Sequence, residues 1–273
     1  MAIITISRQV AALGDEIAAA AAKKIGYTFI DRKQIEQRIV ALGFPQAKLG
    51  KYDERKPGFF ASLVKDRDEY LNYLQCAVLE AAEKGNCILI GRGAFSILED
   101  MPNLISLRFV SRDAVRLERL KAEKSWNDKQ AQSLIEESDM NRRGFHKSFF
   151  NVENEAPQHY MLTLNTGVFS IDESVRLIED VVKIHATQEK EAAGKKKVAQ
   201  LLKGQQLVNQ LLFDFHLNIN FLRAVVDGNV ITLQGVADSQ VLAERAVQTA
   251  AKILPTCEVR SAISIVQDFK TYQ

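Results

Sequence analysis

Three features that would place the chain in a disulfide, zinc or membrane class are missing. The 273 residues include only three cysteines, which form no Cys-x-x-Cys pair and have no histidine at ligand spacing. No apolar run is long enough to cross a bilayer, and the N-terminal residues lack the charged region of a signal peptide. We therefore expect reduced thiols, no resident metal site, no transmembrane segment and a cytoplasmic location.

A strong net charge of one sign is also missing. Lysine and arginine total 36 and aspartate and glutamate total 34, which gives a formal net charge of +2. This balance produces no bulk attraction to nucleic acid or to a membrane surface, so we expect no nucleic-acid partner. The chain is 47% hydrophobic and 26% charged, as is typical of a globular protein, and its length allows two domains.

Short apolar runs alternate with helical patterns over the first two thirds of the chain. The predicted strands are Ile3–Ser7, Phe29–Asp31, Cys87–Ile90, Leu104–Val110 and Tyr160–Leu164. The predicted helices are 14–25, 31–40, 67–84, 113–124, 128–149 and 172–185. Strands separated by helices of this length predict βαβ units, and therefore an α/β fold with a parallel sheet that helices cover on both faces.

The pattern changes after residue 185. The segment 186–197 is polar, charged and rich in small residues, which is typical either of a linker or of the exposed end of a long helix. Beyond it we predict a helix, a hairpin that turns at Asp227-Gly228, a second helix and a last strand, at 198–215, 222–235, 239–254 and 259–266. This αββαβ order predicts a small α+β domain. We place the domains at 1–187 and 198–273, with a linker at 188–197.

The turn after the first strand has the layout of a phosphate-binding loop. In such loops backbone N–H groups and a helix N-terminus hold the phosphates, a lysine adds positive charge and a Ser or Thr hydroxyl holds Mg²⁺. On that template Gly14 stands at the lysine position, Glu16 at the hydroxyl position and Asp15 between them. Two carboxylates in a first helical turn complement the helix dipole but repel a phosphate. A capped helix without a ligand is therefore the alternative interpretation.

Five motifs, in order along the chain, carry a resemblance to a known family. They are Ile4-Thr-Ile-Ser-Arg-Gln9, Gly26-Tyr-Thr-Phe-Ile-Asp31, Ile88-Leu-Ile-Gly-Arg-Gly-Ala94, Asp139-Met-Asn-Arg142 and Leu164-Asn-Thr166. Together they resemble the cytidylate-kinase-like family of P-loop nucleoside monophosphate kinases over roughly residues 1 to 185. The resemblance implies a P-loop kinase fold with a monophosphate arm and a lid. It also implies transfer of the γ-phosphoryl group of ATP to CMP or dCMP with Mg²⁺.

The resemblance implies roles for individual residues. It assigns nucleotide binding to the turn residues Ser7, Arg8, Ala11, Ala12, Leu13, Gly14, Asp15 and Glu16. Arg92 would hold the phosphate of the acceptor, and Asp31 would lie near the acceptor, although Asp31 suits the N-cap of a helix equally well. Arg142, with Arg143 beside it, would belong to the lid and act in catalysis.

Two further arginines precede the lid motif. Arg116 and Arg119 are three residues apart on a predicted helix, so their side chains share one face. We interpret them as part of a salt-bridged surface, with contact of one of them to a phosphate as the alternative.

The turn departs from the family, in which it reads closer to Tyr-Gly-Ser-Gly-Gly-Arg-Glu. Ala11 and Leu13 replace glycines, Ala12 replaces the serine and Asp15 replaces the arginine. Leu13 adds a large side chain at a point where the backbone would approach a phosphate. We therefore predict a kinase with reduced or altered activity. The alternative is a non-catalytic protein that senses a nucleotide or serves as a scaffold.

The C-terminal part carries a second resemblance. The Asp-Gly hairpin with Val230-Ile-Thr-Leu-Gln-Gly-Val-Ala-Asp-Ser239, followed by the segments 243–251 and 259–266, is similar to a BON domain over about residues 196 to 269. The resemblance implies a binding module without catalytic groups, with a protein or a lipid as its ligand.

Overall fold

A computed structural model describes residues 2–52 and 64–266, so the last residues of the predicted C-terminal domain lie outside the described ranges. The chain divides into two compact units, Met1–Lys195 and Lys196–Gln273. The strands of the first unit are β1 (Ile3–Arg8), β2 (Thr28–Ile30), β3 (Cys87–Ile90), β4 (Leu104–Val110) and β5 (Leu162–Asn165). Its helices are α1 (Gly14–Ile25), α2 (Arg32–Ala41), α3 (Gln46–Leu49), α4 (Val64–Glu83), α5 (Ala94–Ile97), α6 (Asp113–Lys124), α7 (Asp128–Phe150) and α8 (Ile171–His185).

The five strands of the first unit form one parallel sheet in the order β2-β3-β1-β4-β5. Successive side chains of a strand lie on opposite faces. Ile4 packs in an apolar cluster with residues of α1 and α8, whereas Ser7 lies beside Phe95 of α5 and Arg142 of α7. The predicted α/β class, with a parallel sheet and helices on both faces, is therefore confirmed.

Helices of the first unit begin either with or without a capping side chain, and α1 is, like α5, among those without one. Capping boxes start α2, α7 and α8, formed by Asp31 with Gln34, Asn127 with Gln130 and Ser170 with Glu173. These boxes satisfy N–H groups that a helix start leaves without a partner. Helix α1 follows Leu13, whose backbone is left-handed, and no side chain caps it. The first N–H groups of α1 are thus not bound by a capping side chain.

Strand β5 begins two residues later than the predicted strand at Tyr160–Leu164. Residues Pro157–His159 form a 3-10 turn, and the Tyr160 hydroxyl donates to the Asn154 carbonyl at 2.7 Å. Tyr160 therefore anchors the loop before the strand, and the ladder with β4 starts at Leu162. Hydroxyl anchoring of this kind leaves no periodic signal in a sequence.

Helix α9 (Gln188–Asn209) runs through the segment 188–197, so this segment has the helical conformation of the second sequence interpretation. Its role as a linker between domains stays a prediction. Alanine, glutamate, glutamine and lysine dominate its first half, and all four have high helix propensity. The helix continues as a π-helical turn at Gln210–Asp214 rather than as the regular helix predicted to Phe215.

The second unit then adds β6 (Asn220–Asp227), β7 (Val230–Ala237), α10 (Gln240–Ile253) and β8 (Glu258–Ile265). Strands β6 and β7 are antiparallel around the predicted Asp227-Gly228 turn, and β8 pairs with β7 in parallel. A separate apolar core includes Leu211, Ile231, Leu233 and Ala246. The predicted αββαβ order is confirmed, and the likeness to a BON domain stays a prediction. No helix among the described residues is both long and apolar enough to span a membrane.

Candidate phosphate-binding site

The turn between β1 and α1 keeps a backbone shape that glycine normally supplies. Ala11 and Leu13 have φ angles of 57° and 52°, in the left-handed region. Ala12 between them is fully buried. A left-handed conformation costs a residue with a side chain about 1–2 kcal/mol, so the surrounding structure holds this turn against local strain.

Arg8 lies across the start of α1. A Cβ atom built at Gly14 would stand 2.7 Å from Cγ and 2.8 Å from Cβ of Arg8. The Nε of Arg8 is 3.3 Å from Oδ2 of Asp15, and the two side chains are 10% and 58% exposed. The arginine thus occupies the space above Gly14, and a mostly exposed carboxylate holds its head group.

Arg119 of α6 ties the turn to the loop after β5. Its Nη1 donates to the carbonyl of Ala11 at 3.0 Å and to the hydroxyl of Thr166 at 3.2 Å. Burial lowers the pKa of Arg119, and Glu16 offsets part of that effect. The prediction of a salt-bridged surface is wrong for Arg119, because its guanidinium binds backbone and hydroxyl oxygens around the turn.

Arg116 is also not a surface residue, since it is 2% exposed. It donates to Asp139 at 2.8 Å and to Asp113 at 2.6 Å. Burial lowers the pKa of Arg116, but the hydrogen bonds with Asp139 and Asp113 outweigh burial, so the net shift is upward. Asp139 of the Asp139-x-x-Arg142 motif therefore holds α6 against α7.

The turn after β3 is built from three consecutive left-handed residues. Gly91, Arg92 and Gly93 have φ angles of 79°, 55° and 67°. A Cβ atom at Gly93 would lie 2.2 Å from the Phe150 ring, so only glycine fits there. This turn brings the chain close to α7 at the carboxyl edge of the sheet.

Arg92, which the resemblance assigns to the phosphate of the acceptor, is not exposed at that edge. It is 1% exposed, donates to the Tyr70 hydroxyl at 3.1 Å and to the Tyr52 carbonyl, and forms an ion pair with Glu36 of α2. Nη1 of Arg32 lies 3.5 Å from the same Glu36 oxygen. The guanidinium of Arg92 thus links α2 and α4, and its role in binding an acceptor stays a prediction.

A small cavity lies between the turns after β1 and β3 and helix α7. It is lined by Ile6, Ser7, Arg8, Gly91, Gly93, Phe95, Arg142 and His146. Its volume is about 10 Å³, room for about one water molecule. The structure therefore brings together Ser7, Arg8 and Arg142 of the predicted site residues.

The remaining predicted residues lie outside this cavity. Arg143 is on the surface and forms an ion pair with Glu155 at 3.4 Å, with both side chains about half exposed. Asp31 accepts from the Gln34 N–H at 2.8 Å as the N-cap of α2. The N-cap interpretation of Asp31 is confirmed, and its role near an acceptor stays a prediction.

Sequence reasoning missed Arg108 of β4, which is 5% exposed. Its Nη1 donates to the Ser7 hydroxyl at 3.1 Å, and its guanidinium carbon is 5.6 Å from the centre of the Tyr160 ring. Burial raises the pKa of Tyr160, while Ser7 and Arg108 act in the opposite direction. The available signal was an arginine inside the apolar strand Leu104–Val110.

The residues of this site could bind Mg²⁺ only together with the phosphates of a nucleotide. The part of the chain that the structure describes contains no group of three or more His, Cys, Asp or Glu side chains that could hold a metal ion. Mg²⁺ commonly binds through one or two carboxylates together with substrate phosphates. Asp15 and Glu16, both exposed in the first turn of α1, could supply such a carboxylate to an ion that arrives with a nucleotide.

Comparisons with known proteins show what the first unit is similar to. The sequence profile of the Cytidylate kinase-like family matches residues 3–168. A structure of an uncharacterized protein from Eubacterium ventriosum is 18% identical, covers 67% of this chain and 99% of its own, and has a TM-score of 0.54. Among curated proteins, none matches the chain significantly.

Two named kinases are similar at a lower level. Shikimate kinase from Bacteroides thetaiotaomicron is 16% identical over 67% of this chain and 98% of its own, with a TM-score of 0.42. Deoxyadenosine kinase from M. mycoides is 15% identical over 67% of this chain and 99% of its own, with a TM-score of 0.39. The family match and the five-stranded parallel sheet together fit a P-loop kinase-type α/β fold.

Proposed function

Because the chain belongs to the cytidylate kinase-like family, we propose that it is an ATP-dependent kinase of a CMP-like nucleoside monophosphate, with slow turnover. One observation carries the proposal: Ser7 and Arg8 of β1, Gly91 and Gly93 after β3 and Arg142 of α7 line one cavity. These segments are distant in the chain and meet at the carboxyl edge of a parallel sheet. Ligands of α/β proteins bind at that edge.

Arg8 supplies the positive charge that the turn lacks at position 14. Its side chain crosses Gly14 at a distance that excludes even a methyl group there. The absence of a side chain at position 14 is therefore what admits Arg8. Phosphoryl transfer depends on positioning and on positive charge around the transferred group, and an arginine serves this purpose through its forked donors.

Slow turnover follows from the same residues. Asp15 holds the Arg8 head group, so a phosphate must displace this carboxylate or share the arginine with it. Leu13, partly buried against the core, keeps a side chain where a glycine would leave the backbone open. A loss of about 4 kcal/mol in transition-state stabilisation would slow the reaction about a thousandfold.

The test is transfer of label from γ-labelled ATP to CMP, dCMP and UMP with Mg²⁺, for the wild type and for Arg8→Ala, Arg142→Ala and Arg143→Ala. We expect the first two variants to lose on the order of a hundredfold or more in kcat/KM, because each removes a cation that lines the cavity. Arg143→Ala separates the two neighbouring arginines: because Arg143 lies on the surface with Glu155, we expect an unchanged kcat/KM, and a loss as large as that of Arg142→Ala would support the catalytic role that the resemblance implies for Arg143. Absence of transfer by the wild type to any monophosphate would reject a kinase.

A second function is favoured by the two internal ion pairs. Arg8 is held by Asp15, and Arg92 is held by Glu36. If these pairs persist, the first unit binds a nucleotide without transferring phosphate and serves the second unit, a BON-like binding module, as a sensor or scaffold. Saturable nucleotide binding by the wild type, with no label transfer after prolonged incubation, would identify this function.

A further inference from the structure

Arg108 is a buried cation without a carboxylate partner among the side chains that the structure describes, those of residues 2–52 and 67–266. It is 5% exposed, and its described contacts are the Ser7 hydroxyl and the face of Tyr160. The two arginines that are more deeply buried each have an ion pair: Arg92 with Glu36, and Arg116 with Asp113 and Asp139. A buried charge without a counter-ion is strongly unfavourable, so Arg108, unlike Arg92 and Arg116, calls for an anion.

Ser7 connects Arg108 to the cavity. The two residues are opposite each other in the β1–β4 ladder, and the Ser7 oxygen accepts from Arg108 at 3.1 Å. A hydroxyl that accepts a hydrogen bond can still donate its own proton. Ser7 also lines the cavity, together with Arg8, Arg142 and His146. The described lining residues include no carboxylate.

We propose that Ser7 and Arg108 form an oxyanion subsite, and that its ligand is the phosphate group of the acceptor. This inference rests on the proposed kinase function and names the residues that would bind the acceptor end. It also assigns Arg92 a positioning role, since its guanidinium is engaged by Glu36, Tyr52 and Tyr70.

Entry of a phosphate requires a local movement. The cavity of about 10 Å³ is smaller than a phosphate group. The carboxylate of Asp15 that pairs with Arg8 is mostly exposed, and exposed ion pairs contribute little to stability, so this pair does not prevent a movement of the Arg8 side chain. The incoming anion would then neutralise Arg108 and meet Arg8 and Arg142 at the same point.

The experiment compares the wild type with Arg108→Met and Arg108→Lys in thermal unfolding, with inorganic phosphate as the probe and NaCl at equal ionic strength as the reference. We expect phosphate to raise the Tm of the wild type, because a ligand of the folded state stabilises it. Arg108→Met should lose this rise, yet unfold at the same or a higher Tm without phosphate, because an uncompensated buried charge is gone. Arg108→Lys should keep part of the rise.

A merely structural role for Arg108 gives the opposite pattern. The Tm of Arg108→Met would then fall in the absence of phosphate, while the phosphate-dependent rise would be retained, and the proposal would be wrong. It would also be wrong if phosphate had no effect on the wild type. If Arg108→Met fails to fold, Ser7→Ala replaces it, and a Ser7→Ala variant with the full wild-type rise overturns the subsite.

Calorimetric titration with CMP separates this inference from the proposed function. If the phosphate effect depends on Arg108 but CMP does not bind the wild type, the subsite stands and the monophosphate acceptor is rejected. If CMP binds the wild type and Arg108→Met equally, the acceptor stands and the subsite is rejected. If the subsite and the monophosphate acceptor are both correct, Arg108→Met should weaken CMP binding about tenfold or more, which is the loss typical of a charge-assisted hydrogen bond.

Discussion

Gly14 matters because of what its missing side chain allows. In a phosphate-binding loop this position carries a lysine. From the sequence alone, a glycine here therefore indicates that the phosphate-binding site has been lost. In the structure, the side chain of Arg8 occupies the space that a side chain at position 14 would fill. Under the proposed function, the positive charge is thus supplied from β1 instead of α1.

Gly14→Ala should destabilise the protein, although alanine is usually the better helix residue. The new Cβ atom would lie 2.7 Å from Cγ of Arg8, and overpacking of this kind costs about 1–3 kcal/mol. Urea unfolding measures the loss. In the Arg8→Ala background, where Cγ is absent, the loss should be smaller, and an equal loss in both backgrounds would contradict the account.

The sequence predicts the backbone of the candidate site better than its side chains. The strand, the turn and the small-residue helix follow from local patterns, and Ser7, Arg8 and Arg142 do meet at one cavity. The partners of Arg92 and Arg108 could not be predicted, because Glu36 and Ser7 are distant in the chain and come close only through the fold. Pairing across a sheet or between helices has no local signature.

At the scale of elements, apolar runs located the central strands β1, β3 and β4 well, because strands buried on both faces are largely apolar. The edge strands β2 and β5 are partly exposed, and their predicted bounds differ from the observed ones by one or two residues at the start. The start of α9 was harder, since its polar composition suits a linker as well as an exposed helix. Gly194 decides how this helix packs: a Cβ atom there would lie 2.1 Å from the side-chain oxygen of buried Asn103. The helix therefore approaches the sheet at a point where only glycine fits.

Gly194→Ala tests that contact by the sign of its effect. Helix propensity alone predicts a gain of about 1 kcal/mol for glycine to alanine inside a helix. Overlap with Asn103 predicts a net loss of about 1–3 kcal/mol instead. Ala193→Ser, an exposed change on the same helix, should alter the free energy of unfolding by less than about 0.5 kcal/mol. A stabilised Gly194→Ala variant would contradict the described packing.

On the scale of the whole molecule, the candidate site belongs to one unit. Its residues, from Ser7 to Thr166, all lie within Met1–Lys195. The second unit has its own apolar core. A ligand of the cavity should therefore stabilise the first unit directly.

Thiol labelling of the three cysteines can follow the opening of each unit separately. Burial raises the pKa of Cys76 to about 11 and that of Cys87 to about 12, so both thiols stay protonated and unreactive in the folded first unit. Cys257 belongs to the second unit and is partly exposed. In mild denaturant, Mg-ATP with CMP should slow thiol labelling of Cys76 and Cys87 and leave the labelling rate of Cys257 unchanged. Mass spectrometry of labelled peptides measures the three rates, and protection of Cys257 alone would place the ligand in the wrong unit.

The measurement that tests the central claim most directly is calorimetric titration of the full chain with CMP and with Mg-ATP in one buffer. The account predicts saturable binding of both nucleotides, each at one site per chain, with both affinities reduced in Arg142→Ala and neither reduced in Arg143→Ala. Failure of both nucleotides to bind at millimolar concentration would contradict it and leave the first unit as a kinase fold without a nucleotide site.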